Sequence, residues 1–146
     1  MKKCILSMSL VIAVCLSSAK LPAAETDQEV EARKAALDLA GAFSNDGFKM
    51  RDGHWAGTLT ANEHTLIAVN LYAGNQYWFS VGAPDPATKL AVSVYDEIGK
   101  QVSTENYEDG NKVAVGLLPT SSGQYYVWIG LIGGSESSVC LVYSYK

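Results

Sequence analysis

The stretch Gln76-Tyr77-Trp78-Phe79-Ser80-Val81-Gly82 returns later in the chain as Gln124-Tyr125-Tyr126-Val127-Trp128-Ile129-Gly130. Each copy follows a turn, Ala73-Gly74-Asn75 in the first case and Pro119 through Gly123 in the second. Each ends on a glycine. Aromatic and β-branched residues suit a pleated, half-buried surface, so both copies read as strands, and as equivalent ones. The same offset carries Val94-Tyr95 onto Val142-Tyr143, making five identities in twenty ungapped positions, more than composition alone would supply. Side chains alternate along a strand. If Tyr77, Phe79 and Val81 face a core, Trp78 and Ser80 face away from it. By the same count Tyr125, Val127 and Ile129 point inward while Tyr126 and Trp128 point outward.

Working outward from these two strands, the period stays at two from Gly53 to the end. Strands are expected at His54–Thr60, Thr65–Tyr72, Gln76–Gly82, Leu90–Asp96, Gln101–Glu105, Lys112–Leu118, Gln124–Leu131 and Ser138–Tyr145. The breaks between them are turn chemistry: Ala83-Pro84-Asp85-Pro86, Glu97-Ile98-Gly99, Asp109-Gly110 and Gly133-Gly134. About eight short strands at this spacing indicate an all-β, jelly-roll-like antiparallel β-sandwich. Both faces of several strands are apolar, which suits two packed layers.

Upstream the period changes. Thr26-Asp27-Gln28-Glu29 fits a capping box, and the residues from there to Phe43 are helix formers. Ala32, Ala36, Leu39 and Phe43 form one stripe, with Val30 and Leu37 beside it, and Ser44-Asn45-Asp46-Gly47 ends the segment. One N-terminal helix of about four turns is expected. Its stripe needs cover, and the outward aromatic face is the place to find it, with Leu39 and Phe43 lying over the tryptophans.

The first residues are a different material. All the aromatic residues, three Trp, eight Tyr and three Phe, lie from Phe43 onward. Met1-Lys2-Lys3, then an apolar run from Ile5 to Leu16, then Ser17-Ser18-Ala19-Lys20-Leu21-Pro22-Ala23-Ala24 have the layout of a secretory signal peptide. Cleavage is expected after Ala19, Ala23 or Ala24. The run is shorter than the roughly 20 residues a membrane-spanning helix needs. Val14 precedes Cys15 where a lipoprotein signal wants a small residue. The expected organisation is a signal peptide at 1–24, a helix and loop at 25–47 and the sandwich at 48–146, in a protein exported to the periplasm or the medium.

Composition narrows the function classes. The chain has 146 residues, 48% hydrophobic and 18% charged, which excludes a disordered tail. One domain is the natural reading. Its formal charge of -4 becomes -7 once Lys2, Lys3 and Lys20 leave with the signal, which argues against nucleic acid as partner. Of three cysteines only Cys140 remains in the mature chain, so an internal disulfide is not expected. Within Val139-Cys140-Leu141-Val142 it reads as a small buried hydrophobe rather than a catalytic thiolate.

The sandwich resembles the bacterial pre-peptidase C-terminal domain, an accessory domain of secreted peptidases. The matching pieces are Leu71-Tyr72-Ala73-Gly74-Asn75-Gln76-Tyr77, Leu90-Ala91-Val92-Ser93-Val94-Tyr95-Asp96 with Gly99, and Pro119-Thr120-Ser121-Ser122-Gly123-Gln124-Tyr125-Tyr126-Val127, closed by the terminal tyrosine strand. The match covers roughly Leu66 to Tyr145. The resemblance implies an exported, non-catalytic module, with some relatives binding collagen or polysaccharide, sometimes with calcium. Here a helix rather than a peptidase stands ahead of the sandwich. The Asp-x-Asp-x-aromatic opening common in the family is replaced by Asn62-Glu63-His64-Thr65-Leu66.

Catalytic chemistry finds few candidates. His54 and His64 are the only histidines, and no G-x-S-x-G holds a nucleophilic serine on a strained turn. Zinc wants three or four convergent ligands, and neither H-E-x-x-H nor C-x-x-C occurs. Asp96-Glu97 and Glu105 through Asp109 lack EF-hand spacing and read as solvated hairpin tips. No metal, cofactor or enzymatic activity is expected. The informative side chains are the outward aromatics Trp78, Tyr126 and Trp128, which could make a flat platform for a protein partner or for sugar rings. The expected function is an exported binding or accessory module acting on a protein of the envelope or medium. The alternatives are a glycan-binding module using those three aromatics and, more weakly, a small hydrolase.

Overall fold

A computed structural model describes residues 23–146. The expected signal segment, apart from Ala23 and Ala24, lies outside the described residues, as do Cys4 and Cys15.

The first element among the described residues is helix α1 (Asp27–Ser44), capped as its sequence indicates. The Glu29 N–H donates to Thr26 Oγ1 at 3.2 Å, and the Thr26 N–H donates back to Glu29 Oε2 at 2.7 Å. Each bond satisfies a backbone donor that a helix start would otherwise leave unpaired. The bond from the Thr26 backbone N–H holds the Glu29 carboxyl below the usual carboxylate range.

Among the described residues nine strands follow: β1 (Lys49–Met50), β2 (Trp55–Leu59), β3 (His64–Leu71), β4 (Tyr77–Gly82), β5 (Lys89–Tyr95), β6 (Glu105–Asp109), β7 (Lys112–Leu117), β8 (Gly123–Gly133) and β9 (Ser137–Tyr145). They form two antiparallel sheets. The larger runs β1-β9-β4-β7-β6, with β2 also paired to β9, and the smaller runs β3-β8-β5. The all-β sandwich with one helix is therefore the fold.

The two repeated strands are the hubs. β4 lies between β9 and β7 in the larger sheet, and β8 lies between β3 and β5 in the smaller. The repeat interlocks: β4 pairs with β9, while β8 pairs with β5, so each copy's first strand binds the other copy's second. Tyr77, Phe79 and Val81 meet Tyr125, Val127 and Ile129 in one buried cluster between the sheets. Fully burying each aliphatic or Phe side chain there contributes roughly 1.5–3 kcal/mol. Tyr77 and Tyr125 also anchor the turns before their strands. The Tyr72 N–H donates to Tyr77 Oη, and Tyr125 Oη donates to the Ser121 carbonyl.

Helix α1 packs on the outer face of the larger sheet. Its Ala32, Ala36 and Ala40 form a second buried cluster with Cys140 and Val142 of β9. Small residues let the helix backbone come close. A Cβ built on Gly82 would sit 2.5 Å from the Ala36 nitrogen and 2.9 Å from the Ala32 carbonyl oxygen. The same close fit leaves the hydroxyls of Ser80 and Ser144 buried without a hydrogen-bond partner.

Two strand expectations need correction. The strand placed at Gln101–Glu105 lies instead at Glu105–Asp109, and Gln101 makes only an isolated bridge to Tyr95. The acids read as a hairpin tip are this strand, an edge exposed at every position. With no buried side it shows no hydrophobic alternation to read. The two-residue β1 was also not anticipated.

Candidate binding face

The outward aromatics do not share a surface. Trp78 belongs to β4 in the larger sheet, and Tyr126 and Trp128 belong to β8 in the smaller. They point away from one core in opposite directions, so the three-residue platform does not exist. The expected cover by α1 holds for Trp78 alone.

All three tryptophans lie over a glycine. A Cβ on Gly57 would come within 2.7 Å of the Trp55 ring, one on Gly116 within 2.7 Å of Trp78, and one on Gly130 within 2.3 Å of Trp128. In each case the missing side chain is the space the indole occupies. Trp55 faces inward and packs against the sandwich core. Trp78 lies across Gly116, its cross-strand partner on β7, and takes Phe43 of α1 on its other side. The Phe43 and Trp78 rings stack at 4.3 Å between centroids with planes 8° apart. Both faces of that indole are used inside the protein.

Trp128 is seated in the same way but is not closed over by the helix. It lies at the middle of the smaller sheet's outer face, between Leu66 on β3 and Ser93 on β5. The adjacent row is Ala68, Tyr126 and Tyr95, and the next is His64, Gly130 and Ala91. His64 flanks the indole at 5.4 Å between centroids, with planes 25° apart. Leu66 is 55% exposed and Ile132, further along β8, is 60% exposed. Polar groups rim the patch: Tyr126 Oη donates to Gln124 Oε1, and Asn70 lies opposite Gln124. None of the described helical residues packs here, because α1 lies on the other sheet.

A second concavity, about 620 Å³, opens beside the end of α1 between Phe43, Phe48, Trp78, Glu105, Leu118 and Lys146. Its aromatic rings are committed to each other. Phe43 stacks on Trp78, and Lys146 Nζ sits 4.7 Å from the centre of the Phe48 ring while donating to the Asp46 carbonyl. The rings of the groove pack on one another and on α1, whereas on the smaller sheet the half-buried Trp128 has only the exposed His64 stacked beside it.

Groups that could do chemistry are dispersed. His54 lies just ahead of β2 on the larger sheet and His64 starts β3 on the smaller. Among the described residues no three His, Cys, Asp or Glu side chains gather to hold a metal. Cys140 is 0% exposed beneath α1, where burial pushes its thiol up to about 11. A thiol so placed is protonated at neutral pH and poorly nucleophilic. Glu63, whose carboxylate accepts from the Thr60 N–H at 2.8 Å, is held below the ordinary range by that bond and fixes the β2–β3 turn.

The sequence did not single out Tyr95, Leu66 and His64 as neighbours of Trp128. The signal was the opposition of strands, which needs the sheet pairing. No protein-family model matches the chain, and no curated protein matches it. Among the described residues no helix is long and apolar enough to cross a membrane.

Proposed function

We propose that the protein is an exported, non-catalytic binding module of the pre-peptidase C-terminal type, recognising a protein of the envelope or medium through the outer face of β3, β8 and β5. The observation that carries this reading is the contrast at the two outward tryptophans. Trp78 is stacked on by Phe43 of α1, whereas Trp128 sits among Leu66, His64, Tyr126 and Tyr95 with no helix of the described residues across it. Interface centres favour such rigid aromatics, ringed by polar groups that exclude water. Dispersed histidines and a protonated, covered thiol offer no nucleophile paired with a base, which supports binding over turnover.

A glycan is the second reading, favoured by one feature. The Trp128 ring lies along the sheet over Gly130, the orientation that stacks on the apolar face of a pyranose.

The test is capture of cross-linked partners in the native compartment, in parallel with retention on immobilised polysaccharides. The parent and a Tyr126→Ala/Trp128→Ala variant are compared. Loss of a specific protein from the variant supports the first reading, and loss of polysaccharide retention supports the second. A variant that keeps everything the parent binds places recognition elsewhere.

A further inference from the structure

The four sheet edges are not equally protected. An exposed edge strand presents unpaired N–H and C=O groups, and proteins blunt such edges with charge, breaks or cover. β6 carries Glu105, Glu108 and Asp109 along its five residues. β5 is covered where the chain folds back on it: the Val102 N–H donates to the Val94 carbonyl and the Asp96 N–H to the Lys100 carbonyl. The edge made by β1 and β2 is broken at Asp52-Gly53, with Gly53 at φ 89°, and carries Lys49 and Arg51. β3 has none of these devices. His64-Thr65-Leu66-Ile67-Ala68-Val69-Asn70-Leu71 is eight residues long, unbroken and without a formal charge or a proline.

Register identifies the free groups. The Leu131 N–H donates to the Glu63 carbonyl, so in β3 the odd-numbered residues bond to β8. The N–H and C=O of His64, Leu66, Ala68 and Asn70 therefore face out, and among the described residues no other backbone group reaches them. A cleft of about 380 Å³ lies along this edge, bounded by Trp55, Ile67 and Tyr143. The inward-facing Ile67 and Trp55 are only half-buried there.

We infer that β3 is a self-association edge, pairing antiparallel with β3 of a second copy about a two-fold axis at Ile67. That register pairs all of the outward groups: His64 with the second copy's Asn70, and Leu66 with its Ala68. Ile67 then meets its own counterpart in the close, non-hydrogen-bonded position, where Cα atoms are about 4.5 Å apart. A second copy is the occupant for two reasons. The pairing is self-complementary, as a two-fold interface must be. The paired strands also set no like charges opposite each other, the nearest formal charges being Arg51 and Asp52 across the cleft, whereas the acidic β6 edge would repel its own copy. The two small sheets become one continuous sheet, and two Trp128 faces stand side by side. This inference stands independently of what that face binds.

Sedimentation velocity of the purified protein over a concentration series tests it. The expected result is a dimer at micromolar concentration and above. Ala68→Pro, which removes an outward N–H and leaves the β8 ladder intact, is expected to yield a monomer with an unchanged circular-dichroism spectrum. Should that variant fail to fold, Leu66→Lys/Ala68→Lys places like charges opposite each other across the seam at two exposed positions and is expected to do the same. Oxidised Ile67→Cys is expected to run as a disulfide-linked pair. A parent that stays monomeric throughout, folded seam variants that remain dimeric, or an Ile67→Cys chain that does not cross-link would each overturn the assignment.

Discussion

The two outer faces of the sandwich are built alike and finished differently. Each has a hub strand from the repeat, β4 or β8, and each hub places a tryptophan over a glycine. On the larger sheet the construction continues: α1 lays Ala32, Ala36 and Ala40 against Cys140 and Val142, and Phe43 closes over Trp78. On the smaller sheet it stops at Trp128. The difference separates two uses of one device, an aromatic ring as internal packing and an aromatic ring as surface. A face that α1 covers contributes to stability. A face left open adds little to stability and, under the proposed function, serves recognition.

The comparison can be broken first at the glycines. Gly82→Ala should give the largest effect. Its Cβ would meet backbone atoms of Ala32 and Ala36, so the helix must move as a unit. A loss near or above the upper end of the roughly 1–3 kcal/mol range for overpacking is expected in chemical denaturation. An unchanged midpoint would mean that α1 does not seat on β4. Gly116→Ala should cost about 2 kcal/mol, because Trp78 is held between β7 and Phe43 and has nowhere to go. Gly130→Ala places a Cβ even nearer to its tryptophan, yet should cost less than about 1 kcal/mol, since Trp128 can swing toward solvent. Equal losses at Gly116 and Gly130 would erase the distinction between the faces.

The covered face should also be sensitive to alkali. Cys140 titrates near 11 when folded, above the ordinary range of a thiol in the unfolded chain. Between those values the unfolded state has lost a proton that the folded state keeps, so stability is fully present below pH 9 and falls as pH rises toward 11. On the core side of β9, burial raises the Tyr143 phenol and acts in the same direction. Cys140→Ala should flatten part of this decline, and a slope unchanged by the substitution would show that the thiol is not under α1. Cys140 should react with thiol reagents only on unfolding.

At the small end, Thr26→Ala should cost about 1 kcal/mol by removing the N-cap side chain of α1. Because the helix covers one face only, protection from hydrogen exchange should weaken on β4 and β9 before β8. Weakening that begins at β8 would place the helix on the other sheet.

Much of this was legible in the sequence. The capping box at Thr26 and Glu29 fixed the start of α1, and the stripe named Ala32, Ala36 and Leu39 among the side chains that bury, though it missed Ala40, and Val30 and Leu37 beside it are exposed. Alternation at Tyr77, Phe79 and Val81 identified what faces the core. The site was half legible. A period of two tells which side of a strand a residue occupies, but not which sheet the strand joins. Trp78 and Trp128 occupy outward positions of repeated strands, and that likeness suggested a common face. Sheet pairing placed them on opposite ones, because each hub strand anchors a different layer. β6 was misplaced for a related reason, since Glu105-Asn106-Tyr107-Glu108-Asp109 buries nothing and carries no hydrophobic pattern.

The central claim, that one tryptophan is packing and the other is surface, is most directly tested by thermal unfolding of Trp78→Ala and Trp128→Ala beside the parent. Trp78→Ala removes a ring stacked on Phe43 and opens the helix interface. It should cost about 2–4 kcal/mol, somewhat less than the truncation of a fully buried aromatic. For a domain of this size that lowers the melting temperature by roughly 6–20 °C. Trp128→Ala should stay within about 1 kcal/mol of the parent. A reversed order, or two equal and large losses, would contradict the account.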